Sequence, residues 1–137
     1  MKRELQILAI WCLSLLIFLT GCEMKRVENM QKNPVEFTVV EPAQVPEELM
    51  KIIEENKQGE MKLTYEDQGY TWLVRGYGQQ KTGGYSIAVN SVYLAEDGLH
   101  ADTSLIGPPY EQKIQDEASY PYLVLKLEKQ EAEIFFD

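Results

Sequence analysis

The chain has 137 residues, of which 22 are Asp or Glu and 13 are Lys or Arg, giving a formal charge of −9. An acidic surface repels the phosphate backbone, so the composition argues against nucleic acid as a partner. The length fits one domain with a hydrophobic core and is too short for two.

The first 21 residues have the composition of an export signal. Lys2 and Arg3 precede an apolar run that continues to Leu19, and Leu-Thr-Gly then leads to Cys22. This segment resembles the signal of bacterial lipoproteins. The resemblance implies cleavage before Cys22, attachment of diacylglycerol and an acyl chain such as palmitate, and a lipid-anchored location on the extracytoplasmic face of the cell membrane. The alternative is an uncleaved anchor, but roughly 17 apolar or small residues fall short of the ~20 needed to span a bilayer.

Removal of residues 1–21 would leave one chain with a charge of about −10 and no internal disulfide, because Cys12 leaves with the signal and Cys22 is lipidated. Such a charge repels anionic lipid headgroups, so the lipid on Cys22 would hold the protein to the membrane. Residues 22–34 are polar and lack a sustained period, which predicts a flexible tether. The folded domain is predicted to occupy residues 35–137.

The domain is predicted to begin with a strand and one helix. Val35, Phe37 and Val39 alternate with other residues, as expected of a strand. The following segment, residues 45–59, has Pro46 in its first turn and an apolar stripe formed by Leu49, Ile52 and Ile53. Gly59 occupies the position of a C-terminal cap.

After Gly59 the apolar period changes from that of a helix to that of strands. Residues 60–66 and 70–77 predict a hairpin around the Asp67-Gln68-Gly69 turn, with Tyr70, Trp72 and Val74 facing inward. Residues 85–94 and 99–105 predict a second hairpin around Asp97-Gly98, with a bulge near Asn90 and Ser91. The last two strands, residues 122–128 and 132–137, are predicted to form a third.

These elements predict a mainly β (α+β) fold: an antiparallel β-sandwich or barrel-like domain with one N-terminal helix. Four residues on the apolar phase of predicted strands are expected in the core: Trp72, Ile87, Leu99 and Leu125.

No set of residues in the sequence indicates catalysis, a metal or a cofactor. His100, Asp102 and Ser104 share one face of a predicted strand, but neighbours on that face stand roughly 6–7 Å apart, too far for a hydrogen-bonded relay. The carboxylates lack metal-ligand spacing. Gly76, Gly78, Gly83 and Gly84 fit no nucleotide-binding pattern. The sequence therefore predicts a protein without catalytic residues.

Four short motifs between residues 70 and 127 resemble the C-terminal domain of the protease-complex subunit PrcB family. In chain order they are Gly76 at a strand end, Thr82-Gly83-Gly84-Tyr85, Pro108-Pro109 and Tyr120-Pro121-Tyr122. The family's namesake is a lipoprotein that associates with a secreted subtilisin-like protease and supports its assembly. The resemblance implies a non-catalytic accessory role in the cell envelope, with a protein partner that could be a secreted protease.

The Thr-Gly-Gly-Tyr segment is also similar to the protruding loop of chagasin-type protease inhibitors, although Gly83 and Ile87 depart from that pattern. Adjacent glycines before a strand serve a turn with positive φ, for which Gly84 is the expected residue, and Tyr85 should cover the end of the core. Bare glycine backbone also suits the approach of a partner chain.

The favoured hypothesis is a membrane-tethered binding or protease-accessory module. Its first binding loop comprises Gln79, Gln80, Lys81, Thr82, Gly83, Gly84 and Tyr85, and its second comprises Gly107, Pro108, Pro109 and Tyr110. The alternatives are a small envelope hydrolase with an unidentified carboxylate site, a protease-inhibitor-like binder and a structural component of the envelope.

Overall fold

The structure is a computed structural model that describes residues 31–110 and 116–137. The predicted signal, the lipidation site Cys22 and most of the predicted tether lie outside the described residues. Among the residues described, no helix is long and apolar enough to cross a membrane. Asn33 and Pro34, at the end of the predicted tether, already form a short strand.

Eight strands and one α-helix make up the described domain. After a single 3-10 turn at Pro42–Gln44, the helix α1 spans Glu47–Asn56. The strands are β1 Asn33–Pro34, β2 Thr38–Val39, β3 Glu60–Asp67, β4 Tyr70–Tyr77, β5 Ser86–Ala95, β6 Gly98–Ile106, β7 Tyr122–Glu128 and β8 Ile134–Phe136.

The strands form two four-stranded sheets, in the orders β1-β5-β6-β8 and β2-β7-β4-β3. One core cluster joins apolar residues of both sheets, and a second joins α1 to the β2-β7-β4-β3 sheet. The layers are therefore helix, sheet and sheet. Neither sheet closes on itself among the described strands, and the predicted mainly β fold with one helix is confirmed as a sandwich.

Burial on both faces explains the continuous apolar run in β4. Leu73 packs in the core between the sheets, whereas Trp72 and Val74 pack in the core beneath α1. A strand covered on both sides shows no simple apolar alternation. The prediction that Tyr70 also faces inward is wrong, because Tyr70 is exposed at the start of the strand.

The helix forms where the sequence predicts it, but its C-terminal cap differs from the prediction. Pro46 precedes the first turn, and Leu49 and Ile53 are fully buried against the sheet. Ile52, predicted on the same stripe, lies at the exposed edge of the helix. The C-cap residue is Lys57, and Gly59 follows it without a positive φ, so the prediction that Gly59 caps the helix is wrong.

Both central hairpins are confirmed. The β3–β4 turn places Gln68 and Gly69 at φ 54° and 80°, which suits a two-residue connection between antiparallel strands. In the second hairpin Ala95 pairs with Gly98, so the turn residues are Glu96 and Asp97, one position earlier than predicted. The register shifts between Val89 and Ser91, as the predicted bulge requires.

The two chain ends of the domain pair differently from the prediction. The last strand, β8, pairs in parallel with β6 instead of forming a hairpin with β7. At the other end, the predicted strand from Val35 is split, because β1 pairs with β5 and β2 pairs with β7 in the opposite sheet. Phe37 and Val39, which alternate in the predicted strand, are consequently exposed.

Three of the four predicted core residues are confirmed. Trp72, Leu99 and Leu125 are buried, with exposed fractions of 6%, 0% and 2%. Ile87 is only half-buried, so the prediction that it is a buried core residue is wrong. It lies at the end of the sandwich where β5 extends towards the glycine turn.

Candidate functional site

The two loops predicted to bind a partner lie side by side in the structure. The first connects β4 to β5 and the second follows β6, and pairing of Ser86 with Ile106 brings both to one end of the sheet. Gly84 has φ +86°, as predicted, and a Cβ built on it would stand 2.8 Å from Cβ of Pro108. A Cβ on Gly107 would lie 3.8 Å from Cε1 of Tyr85. The loops therefore form one surface, called here the paired-loop site.

A third segment, which the sequence analysis did not identify, holds the first loop in place. The backbone of Gln80 donates to Ser119 O at 2.8 Å, and Ser119 N donates back to Gln80 O at 3.1 Å. The hydroxyl of Ser119 donates to the carbonyl of Thr82 at 2.6 Å. Ser119 directly precedes the Tyr120-Pro121-Tyr122 motif, and that adjacency was the only sequence signal available for it.

The start of the first loop is also fixed by backbone contacts. Gly78 has φ +75°, and a Cβ there would approach the carbonyl of Gln58 to 3.2 Å. The next amide, Gln79 N–H, donates to that carbonyl at 3.1 Å. Close backbone approach and positive φ explain the glycine at this position. Lys81 is exposed and a Cβ on Gly83 would meet no atom within 4 Å, so these two residues face solvent at the loop tip.

The end of β4 beneath the loop is rigidified by Arg75 and Tyr77. The Arg75 guanidinium lies 4.0 Å from the centre of the Tyr77 ring, donates to Gly76 O at 2.7 Å and pairs with Glu60 at 2.9 Å. The Tyr77 hydroxyl lies 2.6 Å from that of Thr103 on β6. These contacts tie the two sheets together where the loop begins.

The paired-loop site is unlike the rest of the domain in charge. The sequence has no Asp or Glu from residue 68 to residue 95 or from residue 103 to residue 110, although the whole chain carries 22 of them. Lys81 is the only charged side chain within the two loops. The two loops are therefore free of carboxylates, although they belong to an acidic domain.

The sole histidine lies away from this site, on the outer face of the β1-β5-β6-β8 sheet. Its ring stacks between Tyr93 and Phe135, with centroids 4.9 and 5.0 Å away. Nε2 lies 2.8 Å from Asp97 and Nδ1 lies 2.8 Å from Asp137. Carboxylates accept hydrogen bonds, so this arrangement favours the imidazolium, in which both ring nitrogens donate. On the same strand, Ser104 accepts a hydrogen bond from the Asn90 side chain.

The pKa of His100 is raised above its ordinary value, first by the hydrogen bond to Asp97 and then by Asp137, against the opposing effect of burial. A histidine whose pKa is higher in the folded than in the unfolded state stabilises the fold when it is protonated. This contribution to stability is complete below the unfolded pKa of about 6.5 and is lost as pH rises through the folded pKa. We expect the melting temperature to fall across that window. Melting curves of wild type and His100→Gln, recorded between pH 5 and 9, check this.

The matched control for that series is Asp102→Asn, which removes a carboxylate from the same face of β6 without touching either His100 hydrogen bond. It should keep the wild-type pH dependence, and His100→Gln should flatten it. A wild-type slope retained in His100→Gln would show that another group produces it.

No group of three His, Cys, Asp or Glu side chains in the described part of the chain is arranged to hold a metal ion. The paired-loop site offers backbone amides and carbonyls together with the polar side chains of Gln79, Gln80, Lys81, Thr82, Tyr85 and Tyr110. Groups of this kind can hydrogen-bond another polypeptide.

A family comparison covers most of the elements that build this site. Residues 71–128 match the model of the family described as PrcB C-terminal. The matched segment runs from β4 to β7 and includes both loops and Ser119. No curated protein and no solved structure matches the chain. Residues 71–128 of this protein therefore match the PrcB C-terminal family, as the sequence motifs predicted.

Proposed function

We propose that this protein is a non-catalytic accessory module that is held at the membrane by lipid on Cys22 and binds a protein partner through the paired-loop site. PrcB is a family of protease-complex accessory subunits, and this supports an accessory role and a secreted protease as the class of partner. The observation that carries the proposal is the contact between Gly84 and Pro108, which joins the two predicted loops into one surface.

The geometry favours this function over the alternatives. A hydrolase based on His100 would need a free ring nitrogen, but both nitrogens lie against carboxylates. A hydrolase based on a carboxylate would need one at its site, and residues 79–85 and 107–110 contain no Asp or Glu. An inhibitor of the chagasin type would need a loop that protrudes by itself. Here Gly84 packs against Pro108, and Ser119 holds the carbonyl of Thr82. A surface held from three segments suits a preformed docking site, which loses little entropy on binding.

The double variant Lys81→Ala/Thr82→Ala tests binding separately from folding. Lys81 is exposed, and Ser119 bonds the backbone of Thr82, so the truncations leave that hydrogen bond intact. We expect the melting temperature to stay within about a degree, as for most surface changes. Recovery of the partner after crosslinking in the native envelope should be lost.

Ser119→Ala is the matched control, because it removes the support of the loop and leaves its tip unchanged. It should lower both the melting temperature and the recovery of the partner. Full recovery of the partner by the Lys81→Ala/Thr82→Ala variant would contradict the role of the first loop and assign binding to residues 107–110.

Anchoring is tested by Cys22→Ala. Since diacylglycerol attaches to the sulfur of this residue in the proposed lipoprotein, the variant should lose lipid labelling and leave the membrane fraction. The measurement is metabolic labelling with a fatty-acid analogue, followed by fractionation. Cys12→Ala is the control, because Cys12 lies within the proposed signal and should leave labelling unchanged. A labelled, membrane-bound Cys22→Ala protein would refute the lipid anchor.

A further inference from the structure

One sheet of the sandwich has an edge that the described residues leave unpaired. β1 covers only one end of β5, where Asn33 pairs with Leu94, Pro34 pairs with Tyr93 and Val35 N–H donates to Val92 O. On that side of β5, residues 86–90 pair with no other described strand. This segment directly follows the first loop of the paired-loop site, and it is called here the open β5 edge.

The backbone groups of the open β5 edge point outward from the sheet. In an antiparallel ladder, the N–H and C=O of one residue point to the same side, and successive residues alternate. Val92 directs its C=O towards β1. Because the register shifts at Asn90, the residues before the shift that have the same orientation as Val92 are Val89 and Ile87. Ile87 and Val89 therefore present their N–H and C=O groups to the unpaired side.

This edge lacks the features that protect edges from other strands. Proteins guard exposed edges with charged side chains or proline. The longest edge of the opposite sheet, β3, follows that rule with four charged residues, namely Glu60, Lys62, Glu66 and Asp67. The open β5 edge has none, since its sequence is Ser-Ile-Ala-Val-Asn. The bulge at Asn90 limits the edge at one end and leaves the rest open.

The core beside this edge is incomplete. Ile87, Val89 and their cross-strand neighbour Leu105 are only half-buried, although all three face the interior between the sheets. A groove of about 500 Å³ continues the edge past Asn90, and the half-exposed ring of Phe37 lines it. An added strand would cover Ile87 and Val89 and place an apolar side chain against Phe37.

We propose that the partner of the paired-loop site adds an extended segment as a strand along the open β5 edge. The segment is uncharged and apolar at alternate positions, because the edge offers it half-buried aliphatic side chains and no charge. The partner as a whole is basic, since the domain as a whole carries a net negative charge. The edge itself lies between Lys81 of the first loop and Lys32, which lines the groove. This inference rests on the proposed function and specifies how the partner binds. Repulsion between two acidic copies disfavours a second copy of this chain as the occupant.

Site-specific photocrosslinking of the full chain in its native envelope tests the strand register. A benzophenone amino acid is placed in turn at Ser86, Ala88 and Asn90, which share the outer face. The matched controls are Lys62, Thr64 and Glu66 on the guarded β3 edge. We expect the three test positions to crosslink to one segment of one partner, at residues spaced by two in linear order.

Blocking variants should remove this pattern. Ile87→Pro deletes an outward N–H without breaking the β5–β6 ladder, and Ser86→Lys places a charge on the edge. Each should reduce crosslinking from Ala88 and Asn90 by about tenfold. Ser86→Lys carries the test if Ile87→Pro fails to fold, because Ser86 is exposed.

The outcomes also separate this inference from the proposed function. Crosslinks that scatter, reach a second copy, reach this chain itself or do not exceed the β3 controls overturn strand addition. If binding still depends on Lys81 and Thr82 in that case, the proposed accessory function stands and only strand addition at the open β5 edge is contradicted. If the crosslinks follow an ordered register and the Lys81→Ala/Thr82→Ala variant still binds fully, strand addition at the open β5 edge is supported. The first loop is then excluded from the binding site.

Discussion

Leu99→Ala is expected to lower the free energy of unfolding by about 2–5 kcal/mol, the usual cost of emptying part of a well-packed core. Leu99 is completely buried, and it lies on β6 in the core between the two sheets, where its neighbours on β5 and β8 are Leu94 and Ile134. Paired strands on both sides of β6 restrict the collapse that would refill the space. Urea unfolding monitored by fluorescence measures the change.

Ile106→Ala is the matched control, because Ile106 lies on the same strand and is about half exposed at 49%. It should change the free energy of unfolding by less than about 1 kcal/mol, as surface substitutions usually do. The slope of the free energy against urea should remain the same in both variants. Equal losses for Leu99→Ala and Ile106→Ala would place Leu99 outside the core.

Gly84→Val is expected to reduce the melting temperature by several degrees. The positive φ of Gly84 costs a residue with a Cβ roughly 1–2 kcal/mol. The Cβ would also stand 2.8 Å from Cβ of Pro108, so one loop would have to move away from the other. A loss of that size corresponds to a shift of several degrees in a domain of about 100 residues. Differential scanning calorimetry provides the measurement.

The neighbouring glycine gives a direct comparison. Gly83 has no positive φ, and a Cβ on it would meet no atom within 4 Å. Gly83→Val should therefore melt close to wild type. If both variants lose the same stability, the effect belongs to the whole turn and the specific contact between Gly84 and Pro108 is not responsible.

Much of the fold follows from local sequence patterns. The Asp67-Gln68-Gly69 turn, the bulge at Asn90 and the helix at residues 47–56 depend on turn chemistry and apolar period within short windows. The same holds for the positive φ of Gly84, because a glycine before an alternating strand has few other uses. These predictions succeeded because neighbours in the chain determine them.

The sequence alone did not show which core a residue joins. Trp72 and Leu73 are adjacent and both buried, yet one packs under α1 and the other between the sheets. A strand that is buried on both faces is a continuous run of apolar residues, like any other buried segment. Such a run does not show which core each residue faces. The single inward face predicted for β4 was wrong for this reason.

The candidate site was predictable as two separate loops and not as one surface. The glycine, proline and aromatic motifs identified residues 79–85 and 107–110, but the contact between Gly84 and Pro108 depends on β5–β6 pairing. Ser119 was not identified, since its position directly before the Tyr120-Pro121-Tyr122 motif gives no indication of its contacts. Its role arises from hydrogen bonds to residues 37 and 39 positions earlier in the chain.

The sequence by itself determined the helix, the central hairpins, the left-handed glycine at residue 84 and the motifs of the PrcB C-terminal family. Only the tertiary structure decided the parallel pairing of β8 with β6, the crossing of the N-terminal segment between sheets and the open β5 edge. The physical reason is the range of the interactions. Turn conformation and apolar period act over a few residues, whereas strand pairing is decided by competition among distant segments for the same backbone groups.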